Sequence, residues 1–295
     1  MGLVMSRRVS GAVLPKGVQE AARSAYLRLG AATAPLRMTP SFIMVGASRS
    51  GTTTLFKALA EHPQTARPPV NKGVRYFDLN YQRGWNWYLG HFPLRLTLPA
   101  MARRAGPVHA FEASGYYLFH PLVPQRMAVD LPQVKLVATL RDPVERAFSA
   151  WKHESARGFE TLPFDEALAR EDTRLAADLD TLRQDQFAAP HALRHQSHRA
   201  RGEYVTQLRR YLQHFPREQL HVIVAEDFFA EPAREFDRLT DFLGLDRYTP
   251  AGGFPQQNAR PSAPMDAAVR AGLVEHYRPF NAELAALLGR PLPWP

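Results

Sequence analysis

The chain of 295 residues contains no cysteine. Disulfides, zinc–thiolate centres and cysteine nucleophiles are thereby excluded, and the composition suits a reducing compartment. Long apolar runs are missing as well. No stretch approaches the roughly 18–20 residues that span a bilayer. The opening MGLVMSRRVSGAVLPKG is basic but shows neither the apolar core nor the cleavage site of a secretory signal, so a cytoplasmic location is expected. Acidic charge is in deficit: 28 Asp and Glu face 37 Lys and Arg, a net charge of +9 with a pI near 10.0. Such a surface attracts polyanions, from nucleic acid to phosphorylated small molecules. The basic residues are scattered or lie at helical spacing rather than in one stripe, and no nucleic-acid fold signature accompanies them. No nucleic-acid partner is therefore expected. Internal repeats and low-complexity segments are absent too.

What is present reads as one α/β domain. Residues 1–39 form a basic helical extension, in which VQEAARSAYLRLGAATAPLRM places Val18, Ala22, Tyr26 and Leu29 on one stripe. The stripe suits packing on the domain body; peripheral membrane contact through this helix is the second reading. Residues 40–295 alternate strand and helix. SFIMV, VHAFEAS (108–114), VKLVATL (134–140) and LHVIVAEDF (220–228) are strand candidates. TTTLFKALAEH, the segment after Asp142, PAREFDRLTDFLGL and two carboxy-terminal helices broken at Pro279 complete the pattern. This alternation predicts a central, mainly parallel sheet flanked by helices on both faces. Residues 155–201 are polar and rich in Arg and Asp, an excursion expected near a substrate cleft.

In such folds ligands sit at the carboxyl ends of strands, and two loops there carry chemistry. The first, GASRSGTT at 46–53, follows SFIMV. A strand that turns through glycine into a helix leaves outward-pointing N–H groups and a positive dipole end, which together hold anions. Gly51 allows close approach of backbone to ligand; Ser50, Thr52, Thr53 and Thr54 supply hydroxyls; Arg49 supplies a permanent forked charge. The nucleoside-triphosphate version of this loop needs lysine after the second glycine, where this chain has Thr52. A magnesium-bound triphosphate is disfavoured, and a P-loop kinase or NTPase is the alternative to reject. A serine- and threonine-rich helix cap without ligand also remains open for this loop alone. The second loop, LRDPVERAFSAWKH, places Arg141 at a strand end and Ser149 two turns into the next helix. That pair suits an isolated phosphate, although Arg141 alone could pair with Asp142 or Glu145.

Taken together the two loops resemble those of the sulfotransferase superfamily, whose members use 3′-phosphoadenosine 5′-phosphosulfate (PAPS). GASRSGTTTL is similar to the family's 5′-phosphosulfate loop, and LRDPVERAFSAW to its 3′-phosphate motif, with Arg141 and Ser149 at matching places. GVRYFDLNYQRGWNWYLGHFP (73–93), FEASGYYLFHP and the tail from NARPSAPMD resemble heparan-sulfate-type and bacterial carbohydrate sulfotransferases. The resemblance runs from about Pro40 to the carboxyl terminus. It implies metal-free transfer of a sulfuryl group from PAPS to a hydroxyl or amine of a carbohydrate or small-metabolite acceptor, leaving adenosine 3′,5′-bisphosphate. It assigns donor binding to Arg49, Ser50, Gly51, Thr52, Thr53, Thr54, Arg141 and Ser149, with Arg260 in a loop over the nucleotide. Arg49 stands where many members carry lysine, which implies electrostatic stabilisation.

The resemblance breaks at the base. Heparan-type enzymes have glutamate after the lysine of a Lys-Glu-x-x-Phe-Phe stretch; here Lys72 is followed by Gly73. The remaining candidates are Asp78, Glu112, His120 and His153. His153 has a suitable reference pKa near 6.5 and lies four residues after Ser149, on the same helical face. Asp78 could instead cap a turn, and Glu112 could hold Lys72 or Arg75 in an ion pair. The aromatic residues of 76–92 suit either core packing or a sugar-binding wall. The Arg-, Ala- and Pro-rich composition points to a high-GC bacterial source.

Overall fold

A computed structural model of the protein describes residues 16–97, 105–255 and 264–295. Five strands form its sheet: β1 Pro40–Gly46, β2 Thr65–Ala66, β3 His109–Ala113, β4 Lys135–Leu140 and β5 Leu220–Val224, in the order β2-β3-β1-β4-β5. Every pairing is parallel. Parallel sheets bury both faces, and the side-chain alternation of β1 shows how. Ile43 and Val45 enter one core cluster, Phe42 and Met44 the other. On the second face Phe42 stacks on Phe111 of β3, with ring centroids 4.8 Å apart.

The helices are α1 Lys16–Ala32, α2 Thr52–Glu61, α3 Tyr76–Leu79, α4 Trp85–Leu89, α5 Val123–Asp130 and α6 Pro143–Ser155. They continue as α7 Phe164–Gln184, α8 His191–His195, α9 Tyr204–Leu212, α10 Ala225–Ala230, α11 Pro232–Leu243 and α12 Ala267–Leu288. None among the described residues is long and apolar enough to cross a membrane.

Several boundaries differ from the sequence reading. LHVIVAEDF divides: the strand stops at Val224 and AEDFFA forms α10. Glu226 there accepts the Asp142 N–H at 2.9 Å, so a turn of helix aims a carboxylate at the next loop. The carboxy-terminal helix is continuous through Pro279. Buried Leu273, Tyr277 and Leu284 anchor both halves of α12, and their packing outweighs the hydrogen bond lost at proline. Strand β2, two residues long, has no readable signal. Helix α1 turns its stripe differently from expectation. Val18 and Leu29 are exposed, while Gly30 is buried against Gly90, after α4, so closely that a Cβ would lie 2.4 Å from the Gly90 carbonyl oxygen.

Candidate active site

The carboxyl ends of β3, β1 and β4 lie side by side, and the two loops start there. Gly51 caps α2 with φ 81°, and Arg49 also sits in the left-handed region at 72°. An L-residue pays roughly 1–2 kcal/mol for that conformation, so the loop shape is held by other contacts. Arg49 Nε donates to Ser149 Oγ at 3.1 Å, a bond across 100 residues that joins the first loop to α6. No side chain caps the start of α2, so its leading N–H groups keep the anion-binding character of a helix terminus.

The predicted hydroxyls divide. Thr52 and Thr53 line a cavity of about 780 Å³ at the mouth of this loop. Thr54 turns inward and donates to the Pro255 carbonyl at 2.8 Å. Ser50 is fully buried beside Tyr204, whose hydroxyl donates to the Arg141 carbonyl at 2.9 Å. Ser50 and Thr54 therefore shape the loop from behind rather than presenting hydroxyls to the cavity. Arg141 and Ser149 are half-buried and lie outside the wall of this cavity. The Asp142 carboxylate accepts from Val144 N–H at 2.8 Å and fixes the start of α6. Arg260 falls outside the described residues.

A cation that the sequence reading did not place in the loop comes from elsewhere. Lys72 Nζ donates to the Thr52 carbonyl at 3.0 Å and lies 5.1 Å from the centre of the Phe56 ring. Burial pushes its ammonium down to about 8. No periodicity marks Lys72, because residues 67–75 form neither helix nor strand; only the lysine of the resembled stretch pointed to it.

The four candidate bases separate cleanly. Asp78 and His153 line the cavity; Glu112 and His120 do not. Glu112 is fully buried and accepts from Val74 N–H at 2.6 Å, the Ser114 hydroxyl at 3.0 Å, and the hydroxyls of Tyr88 and Tyr117 at 3.0 Å each. It is a buried hub that ties the 72–76 segment to β3, neither a base at the cavity nor the ion-pair partner of Lys72 or Arg75. His120 is 1% exposed; its Nδ1 accepts from Leu122 N–H, and burial pushes it down to about 3. Asp78 is 3% exposed; Oδ1 accepts from Leu79 N–H at 2.8 Å, and Oδ2 has no hydrogen-bond partner. Burial, then the charge of Glu112, pushes its carboxyl up to about 7. At Gly73 a Cβ would stand 2.4 Å from the Ala113 carbonyl oxygen and 2.5 Å from Ser114 Oγ, so this backbone excludes any side chain there.

The far wall belongs to α6 and the excursion after it. Ala150, His153, Glu154 and Arg157 line the cavity at helical spacing, with Arg194 and His195 of α8 beside them. Glu154 accepts from His195 Nδ1 at 2.8 Å and pairs with Arg157 at 3.4 Å. Trp87 and Arg83 reach the cavity too, whereas Tyr76, Phe77, Tyr88 and Phe92 are core.

With this arrangement in view, the relatives are informative. The sulfotransferase-domain family model matches residues 39–251. A sulfotransferase from Alicyclobacillus acidocaldarius has a solved structure that superposes with a TM-score of 0.64 at 31% identity, covering 86% of this chain and 98% of that one. Bifunctional heparan sulfate N-deacetylase/N-sulfotransferase 2 of Bos taurus is 27% identical over 286 residues, 86% of this chain and 30% of its own length. Membrane-associated sulfotransferase kil1 of Dictyostelium discoideum is 27% identical over 320 residues, covering 86% of this chain and 66% of its own length. This chain thus spans under a third of the bifunctional relative. The parallel sheet, its two strand-end loops and the length of the match agree: the chain belongs to the sulfotransferase family.

Proposed function

We propose that the protein transfers a sulfuryl group from PAPS to a hydroxyl or amine of an acceptor, probed first as a carbohydrate, held in the 780 Å³ cavity. The observation that carries this reading is the Arg49–Ser149 bond, which makes one site of the phosphosulfate-type and 3′-phosphate-type loops. The open start of α2, Gly51 in its left-handed turn and the Thr52 and Thr53 hydroxyls fit a sulfated phosphate. Lys72 and Arg49 add two cations near the loop without the lysine of a triphosphate site.

When bound, PAPS supplies an activated sulfuryl group. The protein's part is to orient donor and acceptor in line and to stabilise negative charge on the bridging oxygen, the role of Arg49 and Lys72. Arginine does this as a fixed charge, because it does not release its proton. Lys72, held down to about 8, keeps its proton at neutral pH but holds it more loosely than a free lysine. Asp78 takes the acceptor proton. Asp78 lines the cavity, its buried Oδ2 has no hydrogen-bond partner, and burial lifts the carboxyl to about 7, where a carboxylate is a useful base. His153, on the α6 face beside Glu154, stands as the alternative base.

Isothermal titration with adenosine 3′,5′-bisphosphate, with and without Mg²⁺ and against ATP, tests the donor assignment. Metal-independent binding of the bisphosphate, weakened in Arg141→Ala and Ser149→Ala, is expected. A Mg²⁺-dependent preference for ATP would restore the kinase reading.

A further inference from the structure

Helix α1 carries an apolar stripe that the core does not use. Among the described residues five large hydrophobic side chains are at least half exposed, and four of them, Val18, Leu29, Leu36 and Leu96, lie on α1 and the two segments beside its end. Val18, Ala25 and Leu29 fall on one face of the helix, and all three are exposed. Leu36 ends the 3₁₀ turn Ala34–Leu36, and Leu96 sits in a second, Arg95–Thr97. Arg37 joins these pieces. Its Nε donates to Thr33 Oγ1 at 2.9 Å, its Nη1 donates to the Phe92 carbonyl at 2.6 Å, and its own carbonyl accepts from Arg95 Nε at 2.8 Å. Arg37 and Leu94 pair as an antiparallel bridge, so Leu36 and Leu96 stand on neighbouring segments. The close approach of Gly30 to Gly90 fixes α1 against the end of α4. The leucines are therefore displayed by a braced surface.

The charge around them has one sign. No Asp or Glu occurs from Ala21 to Ala60 or from Leu79 to Phe111, and Arg28 and Arg95 are exposed on the same segments as the leucines. Separate leucines interspersed with arginines do not suit a protein interface, whose centre is continuous, rich in aromatics and poor in charge. They suit an anionic lipid surface, which accepts single apolar side chains at its acyl boundary and attracts each nearby cation. Leu27, on the other side of α1 from Leu29, lines the 780 Å³ cavity together with Trp87 and His91. One helix, about 10 Å across, thus stands between the outward leucines and the cavity.

We propose that α1 and the turns at 34–36 and 95–97 form a docking face for an anionic bilayer. Val18, Leu29, Leu36 and Leu96 enter the interface, and Arg28 and Arg95 meet lipid phosphates. Docking holds the α1 wall of the cavity within a helix diameter of the headgroups. The inference stands apart from the donor assignment, since it uses none of the residues given to PAPS.

Co-sedimentation of the full chain with vesicles tests it. Vesicles of phosphatidylglycerol mixed with phosphatidylcholine are compared, at low salt, with vesicles of phosphatidylcholine alone. The anionic vesicles are expected to bind the protein at least about 10-fold more tightly, and binding should fall as sodium chloride is raised. Leu29→Ser and Leu96→Ser should each weaken binding on the order of 10-fold, as loss of one buried leucine implies, and Arg28→Gln and Arg95→Gln about 5-fold each. Val129→Ser on α5 and Arg183→Gln on α7, also exposed, should bind as the wild type does. All six substitutions are at the surface, so the thermal midpoint, measured alongside, should stay at the wild-type value. Failure of the wild type to bind anionic vesicles overturns the docking face. So does binding that the leucine variants leave unchanged, whether because net charge alone attracts the protein or because residues 1–15 cover the face. Equal loss in the Val129 and Arg183 variants overturns it as well. A dimer seen by light scattering and dissolved by the leucine substitutions would assign the face to a second copy of this chain instead.

Discussion

Replacing Asp78 by asparagine should make the protein more stable at neutral pH while stopping transfer. The carboxyl is 3% exposed, receives one backbone N–H and leaves Oδ2 without a partner. Burial and the neighbouring Glu112 hold it at about 7 against an ordinary 3.8. That gap sets a ceiling of about 4 kcal/mol on the cost of its ionised form. Between these two values the folded protein keeps a proton that the unfolded chain has released. Stability from this group is therefore lost steadily as pH rises through the window and is level above about 7. Asparagine keeps the acceptor for Leu79 N–H and removes the charge, but its amide enters the place of Oδ2 without a partner, at about 1–3 kcal/mol. The attraction to Arg75 is already contained in the value of about 7, so about 1–3 kcal/mol remains in favour of the variant at pH 8; about 2.7 kcal/mol of the difference disappears by pH 5, where the variant holds no advantage. Urea unfolding at both pH values, with equal m, reads this directly. Transfer should fall about 10²–10⁴-fold, the usual worth of a positioned base, and the wild-type rate should rise with pH through about 7. Equal destabilisation at both pH values would refute the burial argument, and a surviving rate would move the base to His153.

Three further perturbations follow from the loop. Lys72→Met removes the cation on the Thr52 carbonyl; bisphosphate binding should weaken about 10-fold, within the range of a charged hydrogen bond. Because the Lys72 ammonium is held down to about 8, wild-type affinity should fall as pH rises through that value, and titrations on either side should show no such fall in the variant. Arg49→Ala breaks the bond to Ser149 and should lower the transfer rate about 10²–10³-fold; single-turnover assays should show a smaller loss in bisphosphate affinity than in rate. Gly73→Glu puts the missing carboxylate back in sequence but drives Cβ to 2.4 Å from the Ala113 carbonyl. It should lower the thermal midpoint, by about 1–3 kcal/mol or more of stability, without raising activity.

The features that were legible in the sequence are those whose signal is local. A β-prone run, a glycine turn and a row of hydroxyls stand within a dozen residues, so both loops and four of the five strands could be read from the chain. Direction was not legible. Thr52 and Thr53 face the cavity while Ser50 and Thr54 face Tyr204 and Pro255, a division set by the left-handed turn at Arg49 and Gly51 rather than by residue type. Lys72 reaches Thr52 from an irregular segment, where neither a period of 3.6 nor one of 2 gives warning. Glu112 reads from the sequence as a candidate base or as an ion-pair partner of Lys72 or Arg75, because it stands at a strand end. Its four donors come from residues 74, 88, 114 and 117, and that convergence exists only once β3 has met the segment before α3. The same hub explains the pattern at the base position. Glu112 and Ser114 draw residues 73–76 against β3 so tightly that position 73 has room only for glycine. With that carboxylate committed to holding the segment in place, Asp78, five residues after Gly73 and with one oxygen lacking a hydrogen-bond partner, is the first carboxylate along it that lines the cavity, which is why the proposed reading gives it the role of base.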